Sequence, residues 1–243
     1  MKILVIGDIH NKIARAEYIC SRFPDHLKVF VGDYFDDFGD TPVEAEQTAL
    51  WLKESLKKED RVHLMGNHDF PYYVNSQYPH KIFCSGFSTS KMLLVQEVLN
   101  KEDWNKVKYY YHGHGWFISH AGFTLHWWAD PLSGLVNLES IERVLSKSLL
   151  ELDQGIEPPA LWAADFFRGG RNHKGGLLWN DWRNLDLIPN FKQVVGHTPN
   201  NHVSVRKDEE INAEKVLVDC WLKEVLEINE DGSITKILDL DFG

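Results

Sequence analysis

Cysteine is scarce in this sequence. The 243 residues contain three cysteines, an odd number, and these lie far apart at Cys20, Cys84 and Cys220. Disulfide-stabilised domains are typically built on several cysteine pairs, and structural zinc sites on cysteines a few residues apart. The sequence therefore predicts neither a disulfide framework nor a cysteine-spaced zinc motif, and it favours a reducing compartment.

Long apolar runs are also absent. No hydrophobic stretch approaches the roughly 20 residues that cross a bilayer as a helix. The first residues, "MKILVIGD", contain one lysine and a short apolar run, without the length or the cleavage site of a signal peptide. We interpret this segment as the first strand of the fold, and we expect a cytoplasmic protein that does not contact membranes.

Basic clusters are missing as well. The formal net charge is -10 at pH 7, so non-specific binding to nucleic acids or to anionic membrane surfaces is disfavoured. Acidic residues can instead lie next to metal ions, which reverse the local field. Because 43% of the residues are hydrophobic and no linker stands out, we predict a single domain over residues 1–243.

What the sequence does contain is a local pattern that recurs five times. An apolar, β-branched run ends at a small residue, and metal-binding types of side chain follow. The segments are "ILVIGDIH", "KVFVGDYFDD", "VHLMGNHD", "WFISHAG" and "QVVGHTP". Short apolar runs bounded by turn residues are typical of buried strands.

Helical periodicity separates these runs. Helices are predicted over residues 12–22, 42–58 and 138–152, the second opened by Thr41 and Pro42. Alternating strands and helices predict an α/β layered fold. Near the C-terminus, "VLVDC", "EVLEI" and "SITKILDL" read as strands, the last two joined by a turn at "NEDGS", and we expect them to complete a second sheet.

Ligands of α/β folds gather beyond the carboxyl ends of the strands. The five strand ends would therefore bring seven polar side chains to one place: Asp8, His10, Asp33, Asn67, His68, His120 and His197. Oxygen and nitrogen donors without sulfur suit hard to borderline divalent ions. Each motif alone has a simpler explanation as a turn or a helix cap, but five in order favour one metal site.

The five blocks resemble the motifs of the calcineurin-like metallophosphoesterases. They match "GDIH", "GDYFD", "GNHD", "SHAG" and "GHTP" over residues 7–198, and they are most similar to the branch that contains serine/threonine phosphatases and diadenosine tetraphosphatases. The resemblance implies a four-layer α/β/β/α sandwich of two mixed β-sheets. It also implies two divalent metal ions, with Mn, Fe, Zn, Ni and Co as candidates.

The resemblance assigns a role to each motif residue. The predicted metal ligands are Asp8, His10, Asp33, Asn67, His120 and His197, with Asp33 bridging the two ions. A metal-bridging hydroxide would attack phosphorus. The predicted catalytic residues are His68, which would stabilise the developing charge or protonate the leaving oxygen, and Asp36, which would orient His68.

Two departures from the family pattern bear on the substrate. Asp37 stands where an arginine usually binds phosphate in the protein phosphatases, and Pro199 stands where nuclease-type relatives have a second histidine. The predicted substrate-binding residues are Asn67, Arg168, Arg171 and Arg183. Arg168 and Arg171 belong to the glycine-rich segment "FRGGRNHKGG", which could cradle a phosphate or be a solvated loop.

The preferred hypothesis is hydrolysis of a phosphomonoester, either a phosphoprotein or a small phosphorylated metabolite. The alternative is phosphodiester or pyrophosphate hydrolysis on a dinucleoside polyphosphate, a cyclic nucleotide or a nucleic acid. A non-catalytic scaffold is disfavoured because His68, Asp36 and every ligand position are intact. Manganese is the first ion to test.

Overall fold

The computed structural model describes residues 1–77 and 82–237, which contain two mixed five-stranded sheets. The first sheet has the order β10-β9-β1-β2-β3. Its strands are β1 Ile3–Ile6, β2 Leu27–Phe30, β3 Arg61–His63, β9 Val225–Ile228 and β10 Ile234–Ile237. The parallel strands β1, β2 and β3 point their carboxyl ends to the same edge.

The second sheet has the order β4-β5-β6-β8-β7. Its strands are β4 Tyr110–Gly113, β5 Trp116–Ser119, β6 Lys192–Val195, β7 Ser204–Asp208 and β8 Ala213–Leu217. Strands β5, β6 and β8 are parallel, so this sheet also gathers three carboxyl ends at one edge.

Strand alternation divides the core into layers. Ile3 and Val5 of β1 pack with Ile118 of β5 in a cluster between the two sheets, where the strands are fully buried. Leu4, the residue between them, belongs instead to a cluster with Ile19 of the first helix. Successive residues of a strand face opposite sides of its sheet. The predicted four-layer α/β/β/α sandwich is confirmed.

Eight α-helices lie in the described residues, as α1 Ile13–Arg22, α2 Pro42–Ser55, α3 Phe70–Gln77, α4 Thr89–Val98, α5 Lys101–Trp104, α6 Leu125–Trp128, α7 Leu138–Asp153 and α8 Pro159–Trp162. The three predicted helices correspond to α1, α2 and α7. Thr41 caps α2, accepting from the Glu44 backbone N–H at 3.3 Å while the Glu44 carboxylate accepts from the Thr41 N–H at 2.7 Å.

The C-terminal strands correct one expectation. Strand β8 contains the first two residues of the segment "VLVDC" and joins the second sheet, as expected. Strands β9 and β10 do not join that sheet. This hairpin extends the first sheet, where β9 pairs antiparallel with β1 and Ile228 lies opposite Ile3. The pairing covers the edge of β1 that β2 leaves open, and an open edge is a site of unwanted pairing. Residues 238–240 of the predicted strand lie outside the described residues.

All three cysteines are free thiols. In the described part of the chain, no helix combines the length and the apolar character that a membrane span requires. Location in the cytoplasm stays a prediction.

Candidate metal centre

The predicted side chains meet where the carboxyl ends of the two sheets come together. Asp8 follows β1, Asp33 follows β2, Asn67 follows β3, His120 follows β5 and His197 follows β6. All five are buried, with at most 6% of their surface exposed. Both sheets therefore contribute to one polar cluster at a shared edge.

Two groups of ligand atoms share the Asp33 carboxylate. Asp8, His10 and Asp33 each place a ligand atom within 4.8 Å of the others, and Asp33, His120 and His197 do the same. Oδ2 of Asp33 lies 3.8 Å from His10 Nε2, and Oδ1 lies 3.4 Å from His120 Nε2. The two carboxylate oxygens thus face different groups.

Asn67 completes the second group. Its Oδ1 lies 2.8 Å from His120 Nε2 and 2.7 Å from His197 Nδ1, and these two ring nitrogens are 3.2 Å apart. His120 Nδ1 donates to the Val31 carbonyl at 3.0 Å, which leaves Nε2 as the unprotonated nitrogen facing Asn67. A backbone acceptor that fixes the tautomer in this way is typical of metal-binding histidines.

The electrostatics of the cluster favour a bound cation. Burial lowers the pKa of His10 to about 4 and that of His120 to about 3, so both imidazoles are neutral at pH 7. Burial, together with repulsion from Asp219, raises the pKa of Asp8 well above its usual value. Burial and the charge of Asp8 do the same to Asp33. A divalent ion would offset this repulsion between buried carboxylates.

Two glycines leave space for the carboxylates of the cluster, and one buried ring nitrogen has no hydrogen-bond partner among the described residues. A Cβ at Gly66 would overlap Asp33 Oδ1, and a Cβ at Gly196 would overlap Asp8 Oδ1, so both positions require glycine. His197 Nε2 is buried without a hydrogen-bond partner among the described residues. Neutral imidazoles, carboxylates and an amide oxygen form a donor set that fits divalent metal ions.

The backbone is strained at the cluster. His10, Asp33, Asp36 and His197 all have positive φ, between 41° and 66°. Non-glycine residues in this left-handed region cost about 1 kcal/mol or more each, and such residues concentrate at functional sites. The strain at all four positions indicates that the surrounding structure holds these side chains in place.

His68 and Asp36 form a pair beside the cluster. His68 Nδ1 donates to Asp36 Oδ2 at 3.2 Å, while Tyr72 Oη and Lys91 Nζ donate to Oδ1 at 2.6 and 3.1 Å. Burial alone would raise the pKa of Asp36, but the hydrogen bonds from His68, Tyr72 and Lys91 outweigh it and hold this pKa below its usual range. The carboxylate is therefore ionised and points one oxygen at His68.

Asp69 connects two of the loops that carry the cluster. Its carboxylate accepts from the backbone N–H groups of Asp33 and Gly66, both at 2.8 Å, and of Tyr34 at 2.7 Å. The side chain is fully buried. Asp69 therefore fixes the loop after β2 against the loop after β3.

A cleft of about 530 Å³ opens onto the cluster. Arg168 lines it, donating from Nη2 to the His197 carbonyl at 2.9 Å and to Thr198 Oγ1 at 2.8 Å. Arg171 is exposed, and neither it nor Arg183 belongs to the lining. Arg183 is held by Asp181 through hydrogen bonds of 2.8 and 3.0 Å. Of the three predicted arginines, the fold brings only Arg168 to the cleft.

Several cleft residues have no counterpart in the sequence-based prediction. Lys91 and Asp219 line the cleft from α4 and from the end of β8. Asp219 follows the apolar run of "VLVDC", so the strand-end pattern already contained its signal. Phe38 and Trp221 also line the cleft, with 96% and 38% of their surface exposed. A larger cavity, about 640 Å³, lies elsewhere and includes none of the predicted site residues.

The family is decided by a match that spans most of the chain. The model of the calcineurin-like phosphoesterases matches residues 1–237. The chain belongs to this family. It is therefore a metallophosphoesterase, a hydrolase that acts on phosphoric esters, and its metal-dependent chemistry has candidate ligands in the buried cluster.

A search of solved structures finds matches to this metallophosphoesterase at low sequence identity, and the first of them shares its fold. A protein serine/threonine phosphatase from Saccharomyces cerevisiae, described as similar to human phosphatase PP5, aligns with a TM-score of 0.55 and 15% identity over 100% of this chain and 81% of its own. A metallophosphoesterase from Sphaerobacter thermophilus aligns with a TM-score of 0.49 and 12% identity, over 100% of this chain and 89% of its own. A protein described as a putative diadenosine tetraphosphatase aligns with a TM-score of 0.48 and 13% identity, over 99% of this chain and 94% of its own. No curated protein matches the sequence.

Proposed function

We propose that this metallophosphoesterase hydrolyses a phosphomonoester with the help of two divalent metal ions. The observation that carries the two-ion proposal is the division of the Asp33 carboxylate between the two ligand groups. Asp8 and His10 would hold one ion, and Asn67, His120 and His197 the other, with Asp33 shared. When bound, the ions lower the pKa of a water molecule and neutralise charge on the phosphoryl group. Manganese is the first ion to test.

His68 supplies the proton that the leaving oxygen needs. Its Nδ1 is engaged by Asp36, which leaves Nε2 as the nitrogen available to a substrate in the cleft. The ionised Asp36 orients the imidazole by accepting from its Nδ1, and Tyr72 and Lys91 keep Asp36 in place. A positioned histidine of this kind contributes about 100-fold to 10,000-fold to a rate.

Arg168 takes the place of the phosphate-binding arginine that Asp37 displaces. Asp181 is shared between two guanidinium groups, since Arg168 Nε lies 3.2 Å and Arg183 Nε 2.8 Å from its carboxylate. Of these two arginines only Arg168 lines the cleft, where its charge offsets part of the negative charge of the aspartates that line it. A phosphomonoester dianion would benefit from this guanidinium, because hydrogen bonds between two charged groups are stronger than neutral ones. Asn67 at the base of the cleft would contact the same phosphate.

A hydrolysis screen with added Mn²⁺ tests the substrate class. We expect p-nitrophenyl phosphate and a phosphopeptide to be cleaved faster than bis-p-nitrophenyl phosphate and diadenosine tetraphosphate. Asp33→Asn should lose both bound metal and activity, since it removes the shared charge. Asp37→Asn is the matched control and should retain its metal, because Asp37 bonds Lys12 rather than the cluster. A preference for the diester would overturn the monoester proposal.

Nucleotide hydrolysis is the second candidate because two exposed aromatic side chains line the cleft. Phe38 and Trp221 could stack on a base, and stacking contributes about 1–3 kcal/mol per base. Trp221→Ala should then raise the KM for diadenosine tetraphosphate about tenfold or more, while the KM for a phosphoserine peptide changes little. Equal effects on both substrates would count against a base-binding role.

A further inference from the structure

A further set of metal-binding side chains, apart from the two groups that share Asp33, includes His68 itself. Asp36, His68 and Cys84 each place a ligand atom within 4.8 Å of the others. None of the ligands assigned to the two catalytic ions belongs to this set. We propose that Asp36, His68 and Cys84 form a third, inhibitory site for a thiophilic divalent cation such as Zn²⁺, which would hold the catalytic histidine by its Nδ1.

The spacing of the three donor atoms matches a tetrahedral zinc site. Cys84 Sγ lies 3.5 Å from His68 Nδ1 and 3.8 Å from Asp36 Oδ2, and Nδ1 lies 3.2 Å from Oδ2. Bond lengths of about 2.3 Å to sulfur and about 2.0 Å to nitrogen and oxygen, at tetrahedral angles, give donor separations of roughly 3.3–3.6 Å. The observed triangle is within a few tenths of an ångström of that size, so little rearrangement is needed to admit the ion.

The three donor atoms are also free to bind an ion, since none of them is tied up by a residue outside the set among those that the structure describes. Asp36 Oδ1 is occupied by Tyr72 and Lys91, but Oδ2 faces only the histidine and the thiol among the described residues. Cys84 is partly exposed, and its neighbours Ser85 and Gly86 line the cleft. A cation can therefore approach from the cleft, and the fourth position stays open for water.

Binding exchanges protons for the cation. Burial and the nearby carboxylates raise the pKa of the Cys84 thiol, so sulfur is protonated before the ion binds. As the metal–sulfur bond forms, this proton passes to the solvent. The proton on His68 Nδ1 moves by way of the solvent to Nε2, so the metal-bound ring carries its single proton on Nε2. No oxidant or other reactant is required, and binding is reversible by chelation.

Occupation of this site would suppress catalysis through His68. The cation replaces the hydrogen bond from His68 to Asp36 and occupies Nδ1, so the ring can no longer carry two protons. Donation from Nε2 to the leaving oxygen would then leave an imidazolate anion, which makes the metal-bound ring a poor proton donor. This consequence rests on the proposed proton transfer by His68, whereas cation binding itself does not. Two measurements therefore separate the existence of the site from its inhibitory effect.

The first measurement is a titration of the manganese-loaded protein with cadmium chloride, monitored by sulfur-to-cadmium charge-transfer absorption. The ligands proposed for the two catalytic ions contain no sulfur, so cadmium bound there gives no such band. We expect the band in the wild-type protein, and its loss in Cys84→Ser with a cadmium affinity at least about tenfold weaker. Cys20→Ala is the matched control, since Cys20 is buried in α1, and it should keep the band. No band, or a band that survives Cys84→Ser, would overturn the site.

The second measurement is zinc inhibition, with each variant compared with its own activity in manganese alone. Wild type and Cys20→Ala should lose most of their activity at a zinc concentration where Cys84→Ser retains about tenfold more of its own. Circular dichroism of each variant checks that it is folded. Equal inhibition of all three proteins, with the cadmium band present, would refute the inhibitory role while leaving the binding site established.

Discussion

At the scale of single residues, His68 is separable from the metal ligands. It lines the cleft, but its ring nitrogen Nδ1 is bound to Asp36 rather than to the cluster. We therefore expect His68→Ala to lower kcat about 100-fold or more while the bound metal, measured by elemental analysis, stays at the wild-type level. Turnover that is unchanged in the variant would refute the proton transfer by His68. Loss of metal together with activity would mean that His68 is a ligand.

Arg168 and Arg171 allow a matched comparison on one segment. Both are arginines of the glycine-rich loop, but only Arg168 lines the cleft. Arg168→Ala should reduce kcat/KM for a phosphomonoester by about 10-fold to 100-fold, because hydrogen bonds to a charged group contribute about 1.5–3 kcal/mol. Arg171→Ala should stay within about twofold of wild type. Steady-state kinetics on both variants decide the matter, and equal losses would show that the loop acts as a whole.

Single residues also mark the limit of the sequence-based prediction. Motifs with short spacing located Asp8, Asp33 and His68, since each follows its own strand end. Lys91 carries no such sign, because it lies on α4, 55 residues after the Asp36 carboxylate that it contacts. A hydrogen bond between distant segments depends on how helices pack, and no local pattern encodes that packing.

At the scale of structural elements, Asp69 determines how two strand ends are held together. Removing its carboxylate leaves the buried N–H groups of Asp33, Tyr34 and Gly66 without that acceptor. An unsatisfied buried donor costs about 1–3 kcal/mol, so Asp69→Ala should lower the free energy of unfolding by about 3 kcal/mol. Urea unfolding of the metal-free protein measures this change.

The conservative variant refines the same test. Asp69→Asn keeps one acceptor oxygen but places an amide donor against backbone donors. The free energy of unfolding of this variant should therefore lie between those of the wild type and Asp69→Ala. If both variants unfold like the wild type, the hydrogen bonds from Asp69 do not hold the two loops.

The sequence predicts helix ends and turns well, because the residues that mark them are close together in the chain. It predicts strand pairing poorly, because paired strands can be far apart in the chain. Thr41 with Pro42 marks the start of α2 in the sequence, and the observed cap confirms it. The turn at "NEDGS" correctly indicates the hairpin of β9 and β10, but the prediction that this hairpin completes a second sheet is wrong, because it extends the sheet that contains β1. Its partner β1 lies more than 200 residues earlier in the chain, and apolar alternation does not distinguish one buried edge from another.

At the scale of the whole molecule, the two sheets converge on buried like charges. Asp8 comes from the first sheet and Asp219 from the second, and repulsion from Asp219 contributes to the raised pKa of Asp8. Bound cations would therefore link the sheets. We expect a chelator to lower Tm, by about 5 to 10 °C if the ions had been present at about 100 times their Kd, since that concentration stabilises the fold by about 2.7 kcal/mol.

The same charges predict how metal binding depends on pH. In the metal-free fold the pKa values of Asp8 and Asp33 are raised, so these groups keep protons at a pH where the unfolded chain has lost them. Their contribution to stability is therefore present at low pH and is lost as the pH rises through the folded values. His10 and His120 do not oppose this trend above about pH 6.5, because they are neutral in both states there.

Because a cation displaces those protons, metal binding should release protons, and the rise in Tm on adding Mn²⁺ should grow as the pH rises toward the raised pKa values of Asp8 and Asp33. Calorimetric titrations in two buffers of different ionisation enthalpy count the released protons, and thermal melts across the pH range give the trend. The Asp33→Asn variant, which is expected not to hold its metal, is the control and should show neither the binding heat nor the proton release. A binding enthalpy that is the same in both buffers would mean that Asp8 and Asp33 are already ionised in the metal-free fold, and that other interactions stabilise their charges.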